Sequence, residues 1–369
     1  MKLSAMDAPA GVGWLVREAV RREASDIHLE PTGAGMVVRL RIDGVLEHLD
    51  MVSASGGRGL VNRWMVVAGL LSYRLDVPQE GRGEVEGTEV RVSVMPTNHG
   101  LRAVVRLPAM GLSSEMNIAG LGLPGAVRNG LERFVTGGCS ASGGGMLVLC
   151  GPAGSGKTTA TYAVLRELSG VGGLSVVSLE DPIERDVLGV TQVEVRPFGE
   201  LTYERALRSL LRQDPQVLAL GEVRDAATAT VAAEAALTGH RLVTTLHAGS
   251  AAGALMRLLE MGVPGYQLAA AVSGVAALRL VRKCDGQGGY AGRVAVGSFA
   301  AMDAGLRAAL VDGVRGDGLE AVLEKQAGYE TLEASVTRLV RDGVTDAAEV
   351  RRALGLVVEG DAALAKSAG

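Results

Sequence analysis

Aromatic residues are scarce in this 369-residue chain, at 3%. So few rings leave little platform for stacking bases. The net charge of −4 supplies no basic field for a polyanion, so nucleic acid is not an expected partner. Cysteine is nearly absent. Cys139, Cys150 and Cys284 show no paired spacing, which argues against a disulfide scaffold and fits a reducing compartment. Long apolar runs are missing as well: none approaches the ~20 residues of a membrane-spanning helix. The N-terminal "MKLSAMDAPAGVGWLVREAV" lacks the apolar stretch of a secretory signal. The expectation is a cytoplasmic chain with no direct membrane insertion. Lysine is also rare, five against 32 arginines, so each lysine is easier to weigh.

Apolar residues, in contrast, make up 47%, enough to exclude a largely disordered protein, and the length allows two or three domains. Val12, Leu15, Val16, Ala19 and Val20 recur at helical spacing and predict an amphipathic opening helix. "MVVRLRI" and "VLEHLDM" flank Asp43-Gly44, a hairpin signal. A helix over residues 59–72 and a second hairpin around "PTNHG" follow. Residues 1–110 therefore read as a small α+β domain. Small and turn residues in "GLSSEMNIAGLGLPG" place a linker at 111–122.

From 123 to 369 the pattern changes. "MLVLC", "LSVVSL", "QVLAL" and "RLVTTL" are short apolar runs alternating with helical or acidic segments, which implies an α/β domain built on a parallel sheet. "LAAAVSGVAAL" reads as a buried helix, "GGCSASGGG" as a flexible loop, and the chain beyond about 290 as mostly helical.

"GPAGSGKTT" lies between an apolar strand and a helix and matches the phosphate-loop pattern. Its residues are Gly151, Pro152, Ala153, Gly154, Ser155, Gly156, Lys157, Thr158 and Thr159. The glycines let backbone N–H groups turn toward phosphate oxygens, and the helix N-terminus adds positive potential. Lys157 would neutralise the β- and γ-phosphates of ATP, and Thr158 would offer its hydroxyl to Mg²⁺. In "VVSLEDPIER", Glu180 and Asp181 follow the next apolar strand, where an α/β sheet binds ligands; they fit equally well as turn acids before Pro182. In "QVLALGEVRD", Gly221 stands where the metal-side aspartate of many nucleotide hydrolases would be, and Glu222 follows. Glu222 could polarise the attacking water, complete the metal's outer shell, or simply pair with Arg224. His240 and His247 flank "RLVTTL" and could sense the γ-phosphate or serve as hydrogen-bonded structural residues.

Taken in order, "ASDIHLEP", "RIDGVL", "GPAGSGKTTATY", "SLEDPIER", "LRQDPQVLALGEVRD", "ALTGHRLVTTLHAGSA" and "GYAGRVAVGSF" resemble the secretion ATPases of type II secretion and type IV pilus systems, the GspE/PilB/PilT group. The resemblance covers nearly the whole chain. It implies a PAS-like N-terminal domain followed by a RecA-like P-loop ATPase domain with a helical C-terminal part. It further implies a homohexamer that uses ATP and Mg²⁺ and docks through an inner-membrane platform protein. It makes Glu180 and Asp181 part of the acidic box, Glu222 the Walker B glutamate, and His240 and His247 the His-box pair. Arg91 and Arg106 match the arginines that bring guanidinium charge to the phosphates. The base stays open between Glu180 and Glu222.

Three departures from the pattern stand out. Only Cys284 remains of the family's four-cysteine module, so no structural zinc is expected. The extra N-terminal docking domain of many members is not expected in this chain. "VNRWMVVAGLLSYRLDVPQEGR" is divergent, with Arg82 surviving. An assembly motor is the first reading. A retraction motor is the second, without an "AIRNLIRE"-like C-terminal helix to support it. A catalytically silent ATP-binding paralogue is the third.

Overall fold

The computed structural model describes residues 3–108, 117–137, 143–195 and 199–358. The chain forms two compact units, Met1–Ser113 and Ser114–Gly369. Among the described residues no helix is long and apolar enough to cross a membrane.

The first unit contains α1 (Ala8–Arg21), β1 (Asp26–Thr32), β2 (Gly35–Ile42), β3 (Val45–Val52), α2 (Ala54–Val67), β4 (Gln79–Val85), β5 (Thr88–Thr97) and β6 (Gly100–Arg106). Its strands pair antiparallel in the order β3-β2-β1-β6-β5-β4. The first hairpin turns at Asp43 (φ 49) and Gly44 (φ 82), the double left-handed turn that matches strand twist. Strand alternation divides the sheet's faces. Ile27, Leu29, Val38, Leu40, Val92 and Val105 point into a core shared with Leu15, Val16 and Trp64 of the helices. Asp26, His28 and Glu30 alternate with Ile27 and Leu29 along β1, so they face the other way.

Helix α2 differs from the expected 59–72. Ser53 caps it early, accepting from the Gly56 N–H at 3.2 Å, and it ends at Val67 before Gly69 (φ 67). Strand β4 lies in the divergent segment, where glycine and charge obscure its alternation.

The second unit contains α3 (Gly125–Val135), β7 (Gly145–Cys150), α4 (Lys157–Gly170), β8 (Val176–Glu180), β9 (Thr191–Glu194), α5 (Tyr203–Leu210), β10 (Val217–Leu220), α6 (Ala226–Leu237), β11 (Arg241–Leu246), α7 (Ala251–Glu260), α8 (Gly265–Ala271), β12 (Val272–Cys284) and β13 (Tyr290–Ala301). Four short helices close it: α9 (Ala304–Val311), α10 (Asp317–Glu324), α11 (Leu332–Arg341) and α12 (Ala347–Leu354). The sheet order is β13-β12-β7-β11-β10-β8-β9, parallel except for the β12–β13 pair. Such strands are covered on both faces, which explains their unbroken apolar runs. Met146, Val148 and Cys150 point into one core, while Leu147 and Leu149 point into the other with α3 and α4.

Two expectations are corrected here. "LAAAVSGVAAL" is not one buried helix: α8 stops at Ala271 and Val272 opens β12. A run buried all round has no period to separate helix from strand, and pairing decides it: Val275 lies opposite Val148 and Ala276 opposite Leu149. Likewise "GYAGRVAVGSF" forms β13, so the helical part begins only at Ala304. Most of the predicted linker, and the core of "GGCSASGGG", lie outside the described residues. Ile118 at the linker's end is fully buried in the second unit, its N–H donating to the Glu167 carboxylate at 2.7 Å.

Candidate functional site

Strands β7, β8, β10 and β11 run parallel, with Leu220 opposite both Leu179 and Thr244 and Leu246 opposite Cys150. Their carboxyl ends therefore reach one edge of the sheet, where α/β folds bind ligands. Gly151 follows β7 with φ 156; a Cβ there would stand 2.4 Å from Ser155 Oγ and 2.5 Å from the Leu278 carbonyl oxygen. Only glycine fits that close turn. The loop delivers the chain to α4 at Lys157, so the helix's first N–H groups face the loop. Lys157 Nζ donates to the carbonyls of Gly151 (2.7 Å) and Pro152 (2.8 Å). Burial pulls its pKa down, and the nearby Glu222 carboxylate opposes that shift. Thr158 places its hydroxyl 3.5 Å from Glu184 Oε1.

Glu180 ends β8 and is buried. Its Oε1 accepts from Ser178 Oγ (2.6 Å) and Gln192 Nε2 (2.8 Å), and its Oε2 accepts from the Tyr162 hydroxyl. Burial, then this carboxylate, push the Tyr162 phenol well above its usual range. Asp181 lies 3.7 Å from the Arg224 guanidinium. Glu222 comes just after β10. Its Oε2 accepts from Arg224 Nε (2.8 Å), and its Oε1 lies 3.3 Å from His247 Nε2. The pairing with Arg224 is thus real, and it leaves Glu222 beside Lys157 rather than removing it.

Gly221 has a steric explanation. A Cβ at this position would meet the Tyr203 hydroxyl oxygen at 2.8 Å and the Leu179 carbonyl oxygen at 3.3 Å. The space beside the strand end, where a Walker B aspartate would project, is occupied by a tyrosine from α5. Burial, then Asp181, push that phenol up. Thr245 Oγ1 donates to the Gly221 carbonyl at 2.6 Å, linking the ends of β10 and β11.

The two histidines part company. His247 follows β11 at the phosphate-loop edge. His240 precedes the six-residue strand, about 20 Å away along a rise of ~3.3 Å per residue. There its Nδ1 lies 3.0 Å from the Ala235 carbonyl oxygen and 3.2 Å from Thr238 Oγ1. The structure does not bring it to the phosphate loop of its own chain. Arg91 and Arg106 lie in the first unit as direct cross-strand neighbours, with Arg82 opposite Arg91. Arg106 Nε donates to Asp26 Oδ1 at 3.0 Å.

Sequence reasoning missed Thr161, Tyr162, Ser178, Gln192 and Tyr203. Tyr162 and Thr161 carried a usable signal, standing four and three residues past Thr158 on the same face of α4. Gln192 and Tyr203 carried none, because their positions depend on pairing with β8 and packing of α5.

Among the described residues, no cluster of three or more His, Cys, Asp or Glu could hold a metal by itself. The donor set fits Mg²⁺ bound largely by phosphates and water: one hydroxyl, Thr158, with the Glu184 carboxylate 3.5 Å away. A phosphate loop after β7, with carboxylates at the ends of β8 and β10, defines a RecA-like P-loop nucleotide-binding domain.

The profile of the type II/IV secretion system protein family matches residues 11–352. The chain belongs to that family. It is 34% identical to the type II secretion system protein HxcR of Pseudomonas aeruginosa over 364 residues, 92% of this chain and 76% of that protein. It is 38% identical to the type II secretion system ATPase E of Vibrio cholerae over 275 residues, 73% of this chain and about half (53%) of that relative. The solved ATPase DotB of Legionella pneumophila shares the fold, with a TM-score of 0.74 at 20% identity, covering 94% of this chain and 96% of DotB.

Proposed function

We propose that this chain is a hexameric ATPase motor of a type II secretion or type IV pilus-like system, in which ATP hydrolysis drives assembly of pilin-like subunits. The observation that carries the reading is the convergence of Lys157, Glu180, Glu222 and His247 on one sheet edge. Lys157 balances the β- and γ-phosphate charge, exchanging its loop carbonyls for phosphate oxygens. Thr158, with Asp181 acting through water, would hold Mg²⁺, which would supply neutralisation of the phosphate charge. Glu222 polarises the attacking water. It is open to the Lys157 side and steadied by Arg224 and His247, whereas three protein donors already occupy Glu180. The working site lies at the inner-membrane face, reached through a platform partner.

The test is Glu222→Gln in the full chain. Mg²⁺-dependent hydrolysis should fall about a thousandfold while ATP binding persists. A fully active Glu222→Gln variant overturns that residue's role. Wild-type hexamers that bind ATP without hydrolysing it overturn the motor. Gene deletion separates directions of travel: lost secretion or fibres supports assembly, and excess fibres means retraction.

A further inference from the structure

A cavity of about 30 Å³ lies among α4 and the ends of β8, β10 and β11, with Thr158, Thr161, Tyr162, Ser178 and Glu180 in its lining. A single water needs about 10–15 Å³ of such space and two to four polar partners. Thr161 offers one: its hydroxyl is buried, at 5% exposure, with no protein partner among the described residues. Glu180 offers another. A carboxylate has about four acceptor positions. Ser178 and Gln192 take both on Oε1, and Tyr162 takes one on Oε2. One position on Oε2 is left.

We propose that this cavity holds an ordered water bridging Thr161 Oγ1 and Glu180 Oε2, and that Tyr162, Ser178 and Gln192 are positioning residues that hold the carboxylate with its last acceptor turned to that water. The inference rests on the proposed ATPase reading only in its kinetic consequence. Glu180 then acts through water, in a chamber that Thr158 also lines. The donors do more than satisfy a buried charge: three directional bonds leave the carboxylate one orientation.

The test has two arms. A crystal structure of the nucleotide-free full chain should show one water within hydrogen-bond distance of Thr161 Oγ1 and the Glu180 carboxylate, absent in Thr161→Val. A dry cavity in the wild type overturns the assignment. In steady-state kinetics, Thr161→Val and Tyr162→Phe should each lower kcat about tenfold or more, with KM for ATP within about twofold. Thr161→Ser, which keeps the hydroxyl, should stay within about threefold of wild type. If the wild type hydrolyses ATP and Thr161→Val and Tyr162→Phe both match it, the kinetic role of the water and its positioning residues fails alone. If Thr161→Ser falls as far as Thr161→Val, the effect is packing and the proposal fails. If the wild type does not hydrolyse ATP, the motor reading fails and crystallography still decides the water.

Discussion

Replacing Gly221 with alanine puts a Cβ 2.8 Å from the Tyr203 hydroxyl and 3.3 Å from the Leu179 carbonyl oxygen. The first distance is shorter than real Cβ contacts tolerate, so the tyrosine or the end of β10 must shift. Overpacking of this kind costs about 1–3 kcal/mol. The Gly221 backbone lies outside the left-handed region, so alanine adds no backbone strain. It even gains about 0.4–1 kcal/mol from a less flexible unfolded chain. The net expectation is a loss of about 1–2 kcal/mol. At ~2–4 °C per kcal/mol for a domain of this class, the unfolding midpoint should drop by about 2–8 °C. Thermal unfolding followed by circular dichroism measures it. The second half of the experiment is Tyr203→Phe, which removes the clashing oxygen. The double variant should recover part of the loss, a coupling that a double-mutant cycle reads directly. An unchanged or raised midpoint for Gly221→Ala, or strictly additive effects, would refute the claim that Tyr203 dictates glycine at this strand end.

Other expectations follow from the same geometry. Lys157→Ala should weaken ATP binding by about tenfold or more, measured by calorimetry, because it removes the charged donor that would meet the phosphates. Chelation of Mg²⁺ should abolish hydrolysis and leave the oligomeric state, followed by light scattering, unchanged. Glu349 is fully buried at the α12–β12 contact. Burial alone would raise its carboxyl, but hydrogen bonds from Arg352 and Arg282 outweigh this and hold it at about 2, below the ordinary 4.5. Its contribution to stability is therefore full above about pH 4.5 and is lost as pH falls toward 2. Glu349→Gln should flatten that part of the acid-unfolding curve. Glu349→Leu leaves Arg282 without its carboxylate and should cost about 3–5 kcal/mol in urea unfolding at pH 7.

The sequence by itself determined the local devices. The phosphate loop is a run of consecutive residues whose turn chemistry and helix start are self-contained, so its position and its strand–loop–helix setting were readable. Asp43-Gly44 was readable for the same reason, as were the strands whose apolar runs end in acidic residues. The tertiary structure decided everything that depends on which strand lies beside which. Parallel pairing set His247 with Glu222 and left His240 at the opposite end of the same strand. Sheet pairing turned "VSGVAAL" from an apparent helix into β12. Pairing of β9 with β8 brought Gln192 to Glu180, and packing of α5 brought Tyr203 to Gly221. Those contacts join residues between 12 and 25 positions apart or further, beyond any helical or strand period. Gly221, which in the sequence looks like a missing aspartate, becomes in the fold a position where any Cβ would crowd the Tyr203 hydroxyl and the Leu179 carbonyl.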